Sequence, residues 1–273
     1  MHSPAIILQT ANTRRSRAVK EESAARARAV SMKRRAPLGV KLDVNVDAVP
    51  IASSSKITLP CSLLCPVSDD VPRAPLVAAY PQLEKVPTQY IRDRLPLTSL
   101  CAAVRAVETS VSRSSLPKEV RIPKNRDIEA ACPTHMLAVH GGSLRGQTCP
   151  VSLYPVHHIV FASHCAHMPS MPPPPSDDPS AAHVVLPVVP FKVPSPETFS
   201  ALYAYLYTKQ VSALVTQLSP PCSSDLLLLF AHAGKIHGLW QNACALGVVD
   251  QILYRVIQVS WSRTLAAMHT CAS

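Results

Sequence analysis

The sequence predicts an α+β fold: a small sheet with helices packed on it, preceded by a tail that stays outside. Three observations predict it. Short apolar runs punctuated by Pro or Gly recur at 133–140, 151–154 and 183–191, as strands do. From Pro196 onward the apolar positions fall at helical spacing, in stretch after stretch. Charge is also segregated. Residues 1–41 hold ten of the 27 Lys and Arg and two of the 17 Asp and Glu, so the tail carries most of the net +10.

Residues 1–41 are rich in Arg, Ala and Ser, and read as a disordered basic tail. Its two clusters are Arg14-Arg15-Ser16-Arg17 and Lys33-Arg34-Arg35. Arg14, Arg15, Arg17, Lys33, Arg34 and Arg35 are therefore candidates for nuclear import or for weak, salt-dependent DNA contact. A solvated tail and an Arg-rich presequence remain alternative readings. Residues 42–85 contain prolines at 50, 60, 66, 72, 75 and 81 with no sustained period, which reads as a linker. The ordered domain is expected over 86–270.

Within it, Thr88 caps a short helix from Gln89 to Leu95 that Pro96 stops. Leu100, Val104, Val107 and Val111 mark the next helix, which starts at Thr98. Lys118 to Ile122 reads as a short extended piece. Pro133 to His140 is strand-like, and Gly141-Gly142 turns the chain. Val151 to Tyr154 is a second strand. Pro155 is expected to open a helix to about Cys165, with Val156, Ile159 and Val160 inward. Pro172 to Pro175 requires a loop, locally polyproline II. His183 to Phe191 alternates but is broken by proline, which suits a sheet edge.

The helix from Pro196 to Thr208 carries the strongest pattern. Ser195 is a good N-cap, Pro196 suits the first helical position, and Glu197 complements the helix dipole. Phe199, Leu202, Tyr203 and Leu206 form one apolar stripe. A short helix runs from Val211 to Leu218, ended by Pro220-Pro221. Asp225 or Ser224 caps a helix through Ala233, Gly234 interrupts it, and a second stripe runs from Ile236 to Leu246 before Gly247. Asp250 caps a last helix to about His269. A C-terminal part so poor in charge must pack on strands, a second copy or a partner.

No apolar run approaches the roughly 20 residues of a membrane span. The nine cysteines are scattered without a CxxC pair, which fits thiols in a reducing compartment. Cys149, His157, His158, His164, Cys165, His167 and His183 crowd one region. His157, His164, Cys165 and His167 are the candidate metal ligands, because imidazole and thiolate suit zinc. Their spacing matches none of the usual zinc patterns, and a hydrogen-bonded structural face explains them equally. Cys165 with a histidine base is a conceivable nucleophile, but no orienting group or oxyanion site accompanies it. Gly142-Ser143-Leu144-Arg145-Gly146 reads as a turn, not as a phosphate loop. No catalytic signature and no cofactor is assigned. Tyr205, Tyr207 and Trp261 are candidate partner-binding aromatics.

The order of elements from the first strands to the helical hairpin after Asp225 resembles the BTB/POZ fold. Phe199-x-x-Leu202-x-x-Tyr205-Leu206-Tyr207-Thr208 and the Leu226–Cys244 helices carry that likeness. The order permits a homodimer, although that family's dimerisation strand is not evident. More of the chain is similar to the clampless protein family of mushroom-forming and smut fungi. The matching blocks are Val86-Pro87-Thr88-Gln89-Tyr90-Ile91-Arg92, Pro133 to Val139, Leu153-Tyr154-Pro155-Val156-His157, His164-Cys165-Ala166-His167-Met168-Pro169, Phe199 to Thr208, and Leu239-Trp240 with Ala243 to Val248. That resemblance implies a non-enzymatic regulator of sexual development, acting on clamp-cell formation and the dikaryotic programme. The expected mechanism is binding of transcription regulators through the charge-poor C-terminal half, and the basic tail makes the nucleus the expected location, with the cytoplasm as the alternative. The BTB-like order admits a second function, a substrate adaptor of a cullin ubiquitin ligase. A zinc-dependent enzyme is the third.

Overall fold

The computed structural model describes residues 40–41, 58–66, 70–107, 116–142, 151–173 and 181–272. The basic clusters, residues 42–57, Val111, Cys149, the Ser143–Gly146 turn and Pro174-Pro175 of the proline loop lie outside them.

A two-residue antiparallel pair joins β1 (Val40–Lys41) to β2 (Thr58–Leu59). Then come α1 (Arg73–Ala79), a 3-10 turn at Pro81–Leu83, α2 (Thr88–Arg94) and α3 (Leu97–Arg105). The expected linker therefore ends early. Leu63, Val71 and Leu76 are buried, and α1 packs by Leu76 against Ile91 and Ala162. The stretch has no period because it is laid down piecewise by partners far along the chain. Thr88 stands inside α2, whose N-cap is Pro87.

The four-stranded sheet consists of β3 (Glu119–Pro123), β4 (His135–His140), β5 (Ser152–Val156) and β6 (His183–Lys192), in the order β3-β6-β4-β5. A short helix, α4 (Arg126–Ala130), follows β3; the Asn125 side chain accepts from the Ile128 N–H and starts it. Every residue from His135 to Val139 is buried, because β4 is covered on both faces. Met136 and Ala138 face a cluster with Val120, Ile122, Ile128 and Leu186. Leu137 and Val139 face the larger core with Phe161, Phe199 and Leu202. This explains its continuous apolar run.

Two expectations are corrected in the sheet. Pro155 does not open a helix; it lies within β5, opposite Met136, and α5 spans only His158–His164. β6 is not an edge strand in the sheet order. Its first half, His183 to Pro187, pairs antiparallel with β3, and its second half, Val188 to Lys192, pairs parallel with β4. Each half thus has one ladder partner, which leaves room for Pro187 and Pro190 despite their missing N–H groups.

α6 (Pro196–Thr208), α7 (Val211–Gln217), α8 (Leu226–Leu246) and α9 (Gln251–Ala272) complete the fold. Ser195 stands at the N-cap of α6, but its Oγ accepts from Thr198 Oγ1 at 3.0 Å and caps no backbone N–H. The gap expected at Gly234 is absent. α8 runs through it, and Gly247 ends the helix in the left-handed region at φ 60°. The side chains of Asp225 and Asp250 accept from the N–H groups of Leu227 and Ile252, capping α8 and opening α9.

Both tryptophans tie the early segment to these helices. Trp261 Nε1 donates to Pro60 O and Trp240 Nε1 to Leu64 O, both at 2.9 Å. Gln258 Oε1 accepts from the Leu63 N–H at 2.8 Å. Residues 60–64 are thereby strapped across α8 and α9, and Leu63 enters the main core.

Candidate functional site

The histidine- and cysteine-rich stretch runs from the end of β5 through α5 to the segment after it. His157 precedes α5, and both of its ring nitrogens are engaged. Nε2 donates to Ala131 O at 3.1 Å, so Nδ1 accepts from the Tyr207 hydroxyl, also at 3.1 Å. The same hydroxyl accepts from the His157 N–H at 2.8 Å. His164, at the other end, donates from Nδ1 to Val160 O at 2.9 Å. Burial, with the positive charge of Lys209 behind it, lowers its pKa to about 4.

Cys165 is 2% exposed, and burial pushes its thiol up to about 12. It is therefore neither a thiolate ligand nor an activated nucleophile. His167 is exposed on the next turn of chain. Backbone bonds fix this segment to the α8–α9 connection: Ala166 N–H to Gly247 O, His167 N–H to Leu246 O, and Val249 N–H to His164 O. The four candidate metal ligands are not brought together. Among the described residues, no group of three or more His, Cys, Asp or Glu stands close enough to hold a metal.

The candidate partner-binding aromatics are core residues, which corrects that expectation. Tyr205, Tyr207 and Trp261 are 3%, 1% and 1% exposed. Their polar ends meet groups of the same chain: Tyr205 donates to Asp250 Oδ2 at 3.0 Å, Tyr207 bonds His157, and Trp261 bonds Pro60. Buried Tyr and Trp need such partners, so the aromatic cluster is structural. Lys209 also reaches Asp250 Oδ2, at 3.1 Å, with its ammonium 5.1 Å from the Tyr205 ring. Burial raises the Asp250 pKa, but the Lys209 ammonium and the hydrogen bonds hold it below its ordinary value. Lys209 is itself held below the usual lysine value, because its burial outweighs the carboxylate.

One recess and one surface remain. A cavity of about 590 Å³ lies between α1, α5 and the segment Met168–Pro173. His158 lines it, 7% exposed, with its Nδ1 buried and without a hydrogen-bond partner. Its ring lies 5.8 Å from Tyr80, nearly parallel, and 5.9 Å from His135. Burial, then the neighbouring His135, lowers its pKa, so it is neutral near pH 7. His135 Nε2 donates to Pro172 O at 2.9 Å and ties down the far wall. On the outside of α8, Leu227, Leu228 and Phe230 are 69%, 53% and 38% exposed.

The sequence contained a signal for the second feature. Leu226-Leu227-Leu228-Leu229-Phe230 is apolar all round a helix, and a helix at a surface can bury only one side of such a run. It contained none for the orphan nitrogen of His158, which depends on what its neighbours do with their own hydrogen bonds.

The fold and the recess define an α+β protein in which His135, His140, His157, His164 and His232 are spent on internal hydrogen bonds. Two family models match it: the Clampless protein 1 N-terminal domain over residues 66–194 and the Clampless protein 1 C-terminal domain over residues 171–273. Together they run unbroken from residue 66 to 273, and the chain belongs to the clampless protein family. Membership indicates a regulatory role in fungal development. No curated protein and no solved structure matches the chain.

Proposed function

We propose that this protein is a non-enzymatic regulator of fungal sexual development. It acts on clamp formation and the dikaryon programme by binding transcription regulators, including mating-type homeodomain factors. The observation that carries the docking part is the apolar strip Leu227, Leu228 and Phe230 on α8. Contiguous exposed apolar side chains on one helix are a mark of interaction surfaces. The basic clusters around Arg15 and Arg34 would supply nuclear import and weak DNA contact.

The test is complementation of a strain lacking the gene with Leu227→Asp/Leu228→Asp. Both side chains are exposed, so the melting transition should stay within about 0.5 kcal/mol of wild type. Clamp formation and co-precipitation of a homeodomain factor should both be lost. Full clamp formation by the double variant would end the proposal for this surface. Alanines at Lys33, Arg34 and Arg35 in the same strain should reduce the nuclear signal. The order of strands and helices is also BTB/POZ-like in our view. A cullin subunit recovered only while the Val211–Cys244 helices are intact would replace the regulator with a ubiquitin-ligase adaptor.

A further inference from the structure

The strap at residues 60–64 crosses the α8–α9 hairpin in a definite register. The two helices run antiparallel there: His237 lies 6.2 Å from Trp261, and the Tyr254 hydroxyl donates to Ala243 O at 3.0 Å. Pro60 O meets Trp261, the Leu63 N–H meets Gln258, and Leu64 O meets Trp240. The strap therefore advances along α8 as it recedes along α9. The next contact keeps that register. Cys65 Sγ donates to Gln251 Oε1 at 3.5 Å, at the start of α9. One turn beyond Trp240, on the same side of α8, stands Cys244.

The two cysteines belong to one cluster. The Cys244 thiol meets the Tyr254 hydroxyl, and Tyr254 is one turn along α9 from Gln251. A charge on Cys65 is felt at both Cys244 and Tyr254. Cys65 is exposed and Cys244 is half-buried. Cys65 Sγ bonds Gln251 Oε1 and Pro66 O, and a thiol is a weak donor, so little holds it back from a neighbouring sulfur. Cys165 also borders Tyr254, but it is 2% exposed and closed to reagents.

We propose that Cys65 and Cys244 form a reversible disulfide that staples the 60–64 strap to α8. The oxidant is a small-molecule disulfide. Cys65, the exposed partner, loses its proton and attacks one sulfur of the reagent. The reagent S–S bond breaks, and one thiolate leaves and takes up a proton. Cys244 then loses its proton, attacks Cys65 Sγ and displaces the second reagent thiolate. Two protein thiols are oxidised, and one reagent disulfide is reduced to two thiols. Burial holds both protein thiols above their ordinary values, with Cys244 pushed up to about 11, so the pair forms slowly. The same shift makes Cys244 a poor leaving group, so the closed staple resists reduction. The site involves neither the Leu227–Phe230 strip nor a protein partner, and its failure would leave the docking proposal untouched.

The test incubates the reduced full chain with oxidised glutathione at mildly alkaline pH, then blocks remaining thiols with an alkylating agent. Peptide mapping by mass spectrometry should find the Cys65 and Cys244 peptides joined with the loss of two hydrogens. Cys244→Ser should stop after the first step, with glutathione retained on Cys65. Cys65→Ser should leave Cys244 reduced. Cys61→Ser and Cys222→Ser should form the same crosslink as the wild type. Oxidation should raise the melting temperature of the wild type and not that of Cys65→Ser. A wild-type chain that keeps glutathione on Cys65 without closing the bond would overturn the proposal. So would a crosslink from Cys65 to any other cysteine, within the chain or between chains. If Cys244→Ser does not fold, the crosslink map of the wild-type chain decides alone.

Discussion

His164 shows how one buried side chain sets a pH limit. It is 3% exposed, and its pKa falls from 6.5 to about 4 because burial and the Lys209 and Arg92 charges disfavour the imidazolium, against the pull of Val160 O and Asp250. The unfolded chain binds this proton near pH 6.5, and the folded chain resists it. The group's contribution is therefore complete above about pH 6.5 and is lost as pH falls through about 4. Such a shift corresponds to roughly 3 kcal/mol across that window. His135, His157 and His158 have pKa values lowered by burial and add to the same trend. Urea unfolding measured from pH 7 to 4 should show stability falling steeply, and His164→Gln should flatten the curve. A wild-type curve flat down to pH 5 would contradict the assignment. Lys209 is a second residue set by its surroundings. It ends α6 with φ 50°, a region that costs an L-residue about 1–2 kcal/mol, and the Asp250 and Tyr205 contacts hold it there.

Among the elements, α8 contains two glycines that the sequence presents alike and the fold treats differently. Gly234 faces open space, and a Cβ there would meet nothing within 4 Å. Gly238 faces Ser195, where a Cβ would stand 2.5 Å from Oγ and 2.9 Å from Cβ. Ser195 cannot withdraw easily. Its N–H donates to Asn242 Oδ1 at 3.0 Å, and its carbonyl accepts from Asn242 Nδ2 at 2.7 Å. Asn242 is fully buried, and these bonds lock the start of α6 to the middle of α8. Gly234→Ala should stabilise by about 0.5–1 kcal/mol through helix propensity alone. Gly238→Ala should destabilise by about 1–3 kcal/mol, the range for overpacking. Thermal melts of the two variants give the signs, and a shift of the same sign in both would refute the contact.

The molecule as a whole does not divide where the family models do. One core cluster joins Leu137, Val139 and Phe161 of the N-terminal stretch to Leu239, Ile257 and Trp261 of the C-terminal one. The two models themselves overlap at 171–194, which contains β6. β6 takes one partner in β3 and another in β4, both N-terminal to the overlap. A fragment of residues 171–273 would carry β6 without either partner and expose the inner faces of α6 and α8. Such a fragment, expressed alone, should lack a cooperative melting transition and bind a hydrophobic dye. A sharp transition in the isolated fragment would show that the core is divisible.

The sequence by itself determined most of the strands and helices beyond residue 87, because periodicity and caps act within a few residues. The pattern around Phe199, the Gly247 stop and the Asp250 start needed no distant partner to be legible. Only the tertiary structure decided the strand order, the change of partner along β6, the strand at Pro155 and the strap at residues 60–64. It also decided that Tyr205, Tyr207 and Trp261 turn inward, and that His158 keeps a bare nitrogen beside a cavity. Each of these depends on groups tens of residues or more away, and local pattern holds no record of which distant group arrives.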